Sequence, residues 1–336
     1  MRFLHTTLPR LWLQRGPKVW PLLPLSWLYG ALVAWRRRAF ARGWLASGHP
    51  GVPVVVVGNV VAGGAGKTPT TIALVQQLRA RGLHVGVVSR GYGRQDRQLR
   101  EVHADSVASE VGDEPLLIAR HTGVPVWVGA SRLQTARALR QAHPEVQLLV
   151  CDDGLQHLAL QRDLEICVMD ERGVGNGWLL PAGPLREPWP RAVDLLLFTD
   201  GRALPGAPAH SFSARRTLAS EAINGHGERR ALAHWRAQPV DAVAGLARPE
   251  AFFEMLRAQG LQLAQAQALP DHDDFAQWRP PASGHDLLCT EKDAVKLWAR
   301  CPQAWAVPLV LDPEAGFLTA VDHWLERQGL WTRPPR

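Results

Sequence analysis

Residues 58–69 read Gly-Asn-Val-Val-Ala-Gly-Gly-Ala-Gly-Lys-Thr-Pro, directly after the apolar run Val52–Val57. A buried strand that enters a glycine-rich turn and leaves through Gly66-Lys67-Thr68 into a helix permits few folds. It requires a parallel α/β sheet whose strand end aims backbone N–H groups and a helix N-terminus at one point, an arrangement suited to a triphosphate. On this reading Val61, Ala62, Gly63, Gly64, Ala65, Gly66, Lys67 and Thr68 cradle the nucleotide. Lys67 reaches the β/γ-phosphates and the Thr68 hydroxyl faces Mg²⁺. The strict spacing G-x-x-x-x-G-K-[ST] asks for glycine where Val61 stands, so the loop is the variant G-G-x-G-K-[ST]. Composition sharpens the point. Of 38 Lys+Arg, only Lys18, Lys67, Lys292 and Lys296 are lysines, and one of them falls here.

Apolar segments alternate with helical patterns after the loop. Helices are expected over 70–81, 113–121 and 131–141, and strands over 84–89, 124–128, 146–151, 164–169 and 193–198. A Gly/Pro-rich loop at 173–190 is too long for a plain connector. A second set follows, with strands at 240–247, 286–289 and 305–311 and helices near 248–259, 291–298 and 317–328. The fold class is therefore α/β: a P-loop NTPase-like, doubly wound parallel sheet with a second, smaller α/β domain and an N-terminal membrane-associating helix. The expected divisions are 1–45 for the membrane-associating segment, 46–205 for the P-loop domain, 206–238 for a linker and 239–336 for the smaller domain. Cys151, Cys167, Cys289 and Cys301 show no C-x-x-C spacing and read as reduced core residues.

Charge is distributed unevenly. No Asp or Glu precedes Asp96, so residues 1–95 sum to +13 and the rest to −6. Leu22–Trp35 is apolar apart from Ser26, carries Trp27 and Trp35, and runs into Arg36-Arg37-Arg38. Such a run is short of the ~20 residues that cross a bilayer. It suits a headgroup boundary better than nucleic acid.

Several polar motifs fall at strand ends. Asp152-Asp153 closes an apolar strand, where an acid in a P-loop enzyme meets Mg²⁺, and Gln156 and His157 follow in the same loop. Asp113-Glu114 opens a helix, either as cap and dipole partner or as the carboxylate that positions an attacking hydroxyl. Ser89-Arg90-Gly91-Tyr92-Gly93-Arg94 is a phosphate clamp or a solvated basic loop. Arg132, Arg186 and Glu187 are further candidates. Asp271-His272-Asp273-Asp274 is a polar cluster or a helix-capping turn. Thr290-Glu291-Lys292-Asp293 approaches a guanine-reading signature, but its Lys and Asp are adjacent where that signature separates them.

Taken in order, these motifs resemble the tetraacyldisaccharide 4′-kinase family of lipid A biosynthesis. The pieces that carry the resemblance are Gly58-Asn59 with Gly63–Pro69, Ser89–Gly93, Gly112–Pro115, Asp152–His157, Gly183–Glu187, Ala244–Pro249, Asp271-His272 and Thr290–Asp293. The resemblance implies transfer of the γ-phosphate of ATP, with Mg²⁺, to the 4′-hydroxyl of a tetraacyldisaccharide 1-phosphate, giving lipid IVA. It implies Asp113 as the base, oriented by His272. Asp152, Asp153, Gln156 and His157 would surround the metal, and Arg90, Arg132, Arg186 and Glu187 would act on phosphates or substrate. The expected partners are the lipid A disaccharide 1-phosphate and the cytoplasmic face of the inner membrane, with no nucleic acid and no obligate protein. Asp273-Asp274 departs from the family, which more often has a second His there. The rival reading is a membrane-associated GTPase or metallochaperone-type nucleotide switch.

Overall fold

A computed structural model describes residues 11–200, 210–271 and 273–332. In chain order the elements are α1 (Leu23–Ala41), β1 (Val54–Gly58), α2 (Lys67–Ala80), β2 (Val85–Ser89), β3 (Arg100–Val102), α3 (Ala108–Val111), α4 (Asp113–Thr122), β4 (Val126–Val128), α5 (Arg132–Ala142), β5 (Leu148–Asp152), β6 (Leu164–Met169), β7 (Leu195–Phe198) and β8 (Ser211–Leu218). Then come β9 (Glu221–Asn224), β10 (Arg229–Ala231), β11 (Val240–Ala244), α6 (Pro249–Ala258), β12 (Leu263–Ala268), β13 (Leu287–Thr290), α7 (Glu291–Leu297), β14 (Trp305–Val307), β15 (Leu309–Pro313) and α8 (Ala315–Arg327).

Nine strands form the first sheet in the order β15-β8-β7-β6-β1-β5-β2-β4-β3. Every neighbouring pair from β8 to β4 is parallel, and the two edge pairs are antiparallel. Strand alternation divides β1 between two cores. Val55 and Val57 pack with Leu74, Leu78 and Leu116 from α2 and α4, whereas Val54 and Val56 pack with Leu139, Leu155 and Phe198. The sheet is thus covered on both sides, as its continuous apolar strands require. Because β1 lies between β5 and β6, the P-loop opens into the crevice where strand order reverses.

The second sheet has six strands in the order β10-β9-β14-β13-β11-β12. Phe252, Phe253 and Leu256 of α6 cover one face, and Ala294 and Leu297 of α7 the other.

The expected boundaries at 206–238 and 239–336 do not follow the sheets. β8 belongs to the first sheet, while β9 and β10 belong to the second. β15 returns to pair with β8, and Phe317, Val321, Trp324 and Leu325 of α8 enter the first core. The smaller lobe is therefore an insertion between β8 and β15. Its strands run from Glu221 to Val307, and both its ends leave through one antiparallel pair.

α1 is turned inside out relative to an ordinary surface helix. Only Ser26 and Ala39 are buried along it. Leu25, Leu28, Leu32 and Trp35, spaced for one helical face, are each more than half exposed. The polar groups face the protein instead: Ser26 Oγ donates to the Leu179 carbonyl at 2.6 Å and Tyr29 Oη to the Arg186 carbonyl at 2.7 Å. A bulkier residue than Gly30 would press on Leu179, since a Cβ there would lie 2.8 Å from its Cδ1. Among the described residues no helix is long and apolar enough to cross a membrane. All four cysteines are buried and unpaired, as expected.

Candidate active site

Left-handed backbone at Gly63 (φ 94°) and Gly66 (φ 85°) bends the P-loop, which is why glycine recurs there. The loop is braced from behind. Arg172 pairs with buried Asp170 and donates to the Gly64 carbonyl at 2.8 Å. A Cβ at Gly66 would meet Thr199 Cγ2 at 3.1 Å, so the end of β7 presses on the turn. Val61, where the strict motif has glycine, is buried and bridges to Leu185 of the long loop. The variant position thus packs the P-loop against residues 173–190. Ala62 joins the same contact through its N–H to the Pro184 carbonyl at 2.8 Å, and Ala65 is buried beneath the turn.

Lys67 is nearly buried and points to Asp153, with Nζ 3.8 Å from Oδ1. Arg186 shares that carboxylate at 3.0 Å. Burial raises the Asp153 pKa, but the Lys67 and Arg186 charges outweigh it and hold the group below its usual value. Asp152 lies under different conditions one residue earlier. It is 1% exposed and accepts from Thr71 Oγ1 at 2.9 Å and Ser89 Oγ at 3.5 Å. Burial, then the charges of Glu114 and Asp153, push its carboxyl up to about 7 against the pull of Lys67. Thr71 is a support absent from every motif named above, and Ser89, read there as part of a phosphate clamp, bonds Asp152 instead.

Arg132 is 2% exposed at the start of α5. Its Nη1 donates to the Gly129 carbonyl at 3.1 Å, and its Nε has no partner in the described structure. Burial, then the Arg132 charge, drive His157 down to about 3, so His157 is a neutral imidazole at physiological pH. Arg90 is exposed after β2, and its charge acts on His157 in the same sense. Gln156 turns toward α1. Its Nε2 donates to the Asn59 carbonyl at 3.0 Å and to Glu187 Oε1 at 2.8 Å, and its own carbonyl accepts from Arg36 at 2.9 Å. Glu187 is also paired with Arg37 and Arg191. The N-terminal helix is thereby wired to the loop beside the β5 end.

Asp113 does not cap its helix. The cap position is Gly112, and no side chain bonds there. Gly112 has φ 95° and ψ 150°, and a Cβ on it would lie 3.0 Å from Gly91 Cα. Two glycines meeting back to back thus bring the Ser89–Gly93 loop against the start of α4. The Asp113 side chain is buried, and its Oδ2 lies 2.7 Å from Lys296 Nζ of the smaller lobe. Lys292 pairs with Asp271 at 2.9 Å. His272 lies outside the described residues. Its neighbour Asp273 accepts the Phe275 N–H at 2.7 Å and so shapes the turn. Three of the four lysines therefore lie around one cleft, where their scarcity could have marked them.

Asp293 is not a base reader. It is 3% exposed and accepts from Thr290 Oγ1 at 2.6 Å and the Gly245 N–H at 3.0 Å. That removes the feature closest to a GTPase signature.

The donor set suits a hard cation held jointly with phosphates. Among the described residues, no group of three His, Cys, Asp or Glu side chains could hold a metal ion by itself. The Thr70 and Thr71 hydroxyls are engaged with Gly66 and Asp152, whereas among the described residues no hydrogen bond holds the Thr68 hydroxyl at the helix start. One hydroxyl and one or two carboxylates are what Mg²⁺ takes when phosphates and water complete its shell.

The family described as tetraacyldisaccharide-1-P 4′-kinase matches residues 18–326. The tetraacyldisaccharide 4′-kinase of Verminephrobacter eiseniae is 56% identical over 322 residues, spanning 94% of this chain and 75% of that protein. The enzyme of the same name from Acidovorax sp. (strain JS42) is 55% identical over 312 residues, spanning 93% and 92%. The crystal structure of LpxK from Aquifex aeolicus in complex with ATP superposes with a TM-score of 0.78 at 28% identity, covering 92% of this chain and 98% of that one. A P-loop lobe, an inserted second lobe and a carboxylate at their junction thus accompany a match along nearly the whole sequence, and the chain belongs to the tetraacyldisaccharide 4′-kinase family.

Proposed function

We propose that this ATP-dependent 4′-kinase of lipid A biosynthesis carries out transfer in the cleft between its lobes, with Asp113 receiving the proton of the sugar 4′-hydroxyl. The observation that carries this reading is a buried carboxylate at the lobe junction, met by Lys296 of the smaller lobe and committed to no helix cap. In phosphoryl transfer the protein's work is mostly positioning and charge neutralisation. The P-loop amides and Lys67 hold the β/γ-phosphates and offset the charge that spreads over the transferred group. Arg186 holds Asp153 in place, and Arg90 and Arg132 add positive potential on the same side. His272 orients Asp113 from the smaller lobe. Thr68 and Asp152, with Asp153 beside them, would hold Mg²⁺, which supplies charge neutralisation across the phosphates when bound. The neutral imidazole of His157 and the amide of Gln156 line the same edge.

Membrane attachment on the cytoplasmic face of the inner membrane belongs to the same proposal. The exposed apolar stripe of α1, the Arg36–Arg38 cluster and the acid-free first 95 residues support it. A groove of ≈380 Å³ between α1 and the long loop, lined by Leu23, Trp27, Leu179, Leu185, Pro188 and Trp189, offers acyl chains an apolar path. It lies next to Arg186 and Glu187, so lipid would arrive from the membrane side of the cleft.

The test is Asp113→Ala, assayed by transfer of labelled γ-phosphate to tetraacyldisaccharide 1-phosphate in mixed micelles. Loss of general-base assistance lowers kcat by about 10²–10⁴-fold while ATP binding holds. Equal loss of ATP affinity would make Asp113 a structural residue.

A further inference from the structure

Two ion pairs tie α4 of the large lobe to α7 of the small one, one at each end. Asp113 at the start of α4 meets Lys296 in the last turn of α7, at 2.7 Å. His121 in the last turn of α4 meets Glu291 at the start of α7, at 2.9 Å. The helices therefore run antiparallel across the lobe junction, and each positive partner stands at a helix C-terminus and each acid at an N-terminus.

The two ends have different surroundings. The His121–Glu291 pair has a further positive charge in range, Arg120 of α4. Charged groups gather around Asp113: Glu114 beside it on α4 and Lys292 and Lys296 across from α7, with Asp271 paired to Lys292 and the Asp273 backbone carbonyl accepting from Lys296. Asp152 lies within range of the Glu114 charge, and substrate phosphates would add more negative potential. Asp113 is 5% exposed, and burial or a neighbouring acid opposes the charged form of any carboxyl. A protonated Asp113 cannot take a proton from an alcohol. The Lys296 ammonium, in direct contact, favours the ionised form.

We infer that Lys296 is a positioning residue for phosphoryl transfer, carried in by the smaller lobe to hold the Asp113 carboxylate ionised and oriented when the lobes meet. The inference rests on Asp113 being the base. It explains why an arginine-rich chain has lysine here. Arginine would fork across both carboxylate oxygens, whereas an ammonium is a point charge that engages one. It also couples chemistry to closure, because the charge that completes the base belongs to the inserted lobe.

The experiment compares Lys296→Met, Lys296→Arg and Glu291→Gln in the full chain, with kcat and KM for ATP measured across pH 5–9 on the micellar lipid substrate. Removing an opposite charge in contact raises a carboxyl pKa by about 1–3 units, so the acidic limb of kcat in Lys296→Met moves up by that amount. Its kcat therefore falls most on the acidic side of the range, with KM for ATP little changed. Lys296→Arg returns the limb to its original position with partial kcat. Glu291→Gln weakens the lobe junction but leaves the limb in place. A fall in kcat with an unmoved limb, or the same response in Lys296→Met and Glu291→Gln, would make Lys296 a lobe fastener and overturn the inference. If Asp113→Ala is inactive while Lys296→Met matches the parent in rate and limb, this inference alone fails. If Asp113→Ala keeps its kcat, the base assignment itself is wrong.

Discussion

Asp152→Asn should stabilise the ligand-free protein, and increasingly so as pH rises. The Asp152 carboxyl is sealed at the end of β5, where burial and the neighbouring Glu114 and Asp153 charges raise it from 3.8 to about 7. In the unfolded chain the same group titrates near 3.9. Between those values the unfolded state is ionised while the folded state keeps its proton. Folding therefore takes up a proton, and stability falls as pH climbs through that window, levelling off above the folded value. A separation of about three units corresponds to at most about 4 kcal/mol. Asparagine has the same shape, still accepts from Thr71 through Oδ1, can donate to Ser89, and does not titrate. The titration contribution to the stability difference between variant and parent should be about 1 kcal/mol at pH 4.5, about 3 at 6 and about 4 at 8. Urea unfolding of the ligand-free protein, followed at those three values, reads it directly. A difference that stays flat within about 0.5 kcal/mol across the range, the scatter expected of a neutral surface change, would refute the argument that Asp152 is held protonated. The same variant should lose kinase activity, so stability and function would move in opposite directions at one residue.

Gly112→Ala should be damaging out of proportion to one methyl group. A side chain at φ 95°, ψ 150° is strained by about 1–3 kcal/mol, and its Cβ would also press on Gly91 at 3.0 Å. A lowered urea midpoint together with a kcat loss of about 100-fold, the effect of a ~1 Å displacement of Asp113, is expected; an unchanged midpoint would refute the packing argument. Leu28→Glu combined with Leu32→Glu removes two exposed apolar side chains from α1. Co-sedimentation with vesicles containing anionic phospholipid should weaken by about 100-fold or more, since each buried leucine is worth about 1.5–3 kcal/mol, while thermal stability holds. Equal sedimentation of variant and parent would remove α1 from the membrane.

What the sequence disclosed and what it withheld divide along the range of the interactions involved. β1, the glycine turn and α2 are specified by adjacent residues, and β6 falls on the expected 164–169 because a continuous apolar run between polar ends leaves little choice. Polar strands carry no such signal. β12 reads Leu-Ala-Gln-Ala-Gln-Ala and is held at an edge by pairing with β11, so only the sheet reveals it. Its alternation is too weak in hydrophobicity to distinguish it from loop. The smaller lobe is expected, but its limits are hidden for a similar reason. Its limits depend on Leu309 pairing with Leu218, across ninety residues, and no local composition records that register.

The site shows the same division in sharper form. Asp113 taken with its neighbours looks like an ordinary helix opening, because acids are favoured there whatever their function. What separates a cap from a base is where the carboxylate points, and that is decided by Gly112, Gly91 and Lys296, of which only the first adjoins Asp113. The one signal that crosses this distance in the sequence is chemical. A chain that almost everywhere writes arginine for positive charge writes lysine at 67, 292 and 296, and those three ammonium groups converge on Asp153, Asp271 and Asp113. An arginine would fork across both oxygens of a carboxylate, whereas an ammonium neutralises it as a point charge. Rare residue choice therefore marks places where a carboxylate is met by a point charge, and it does so on both lobes.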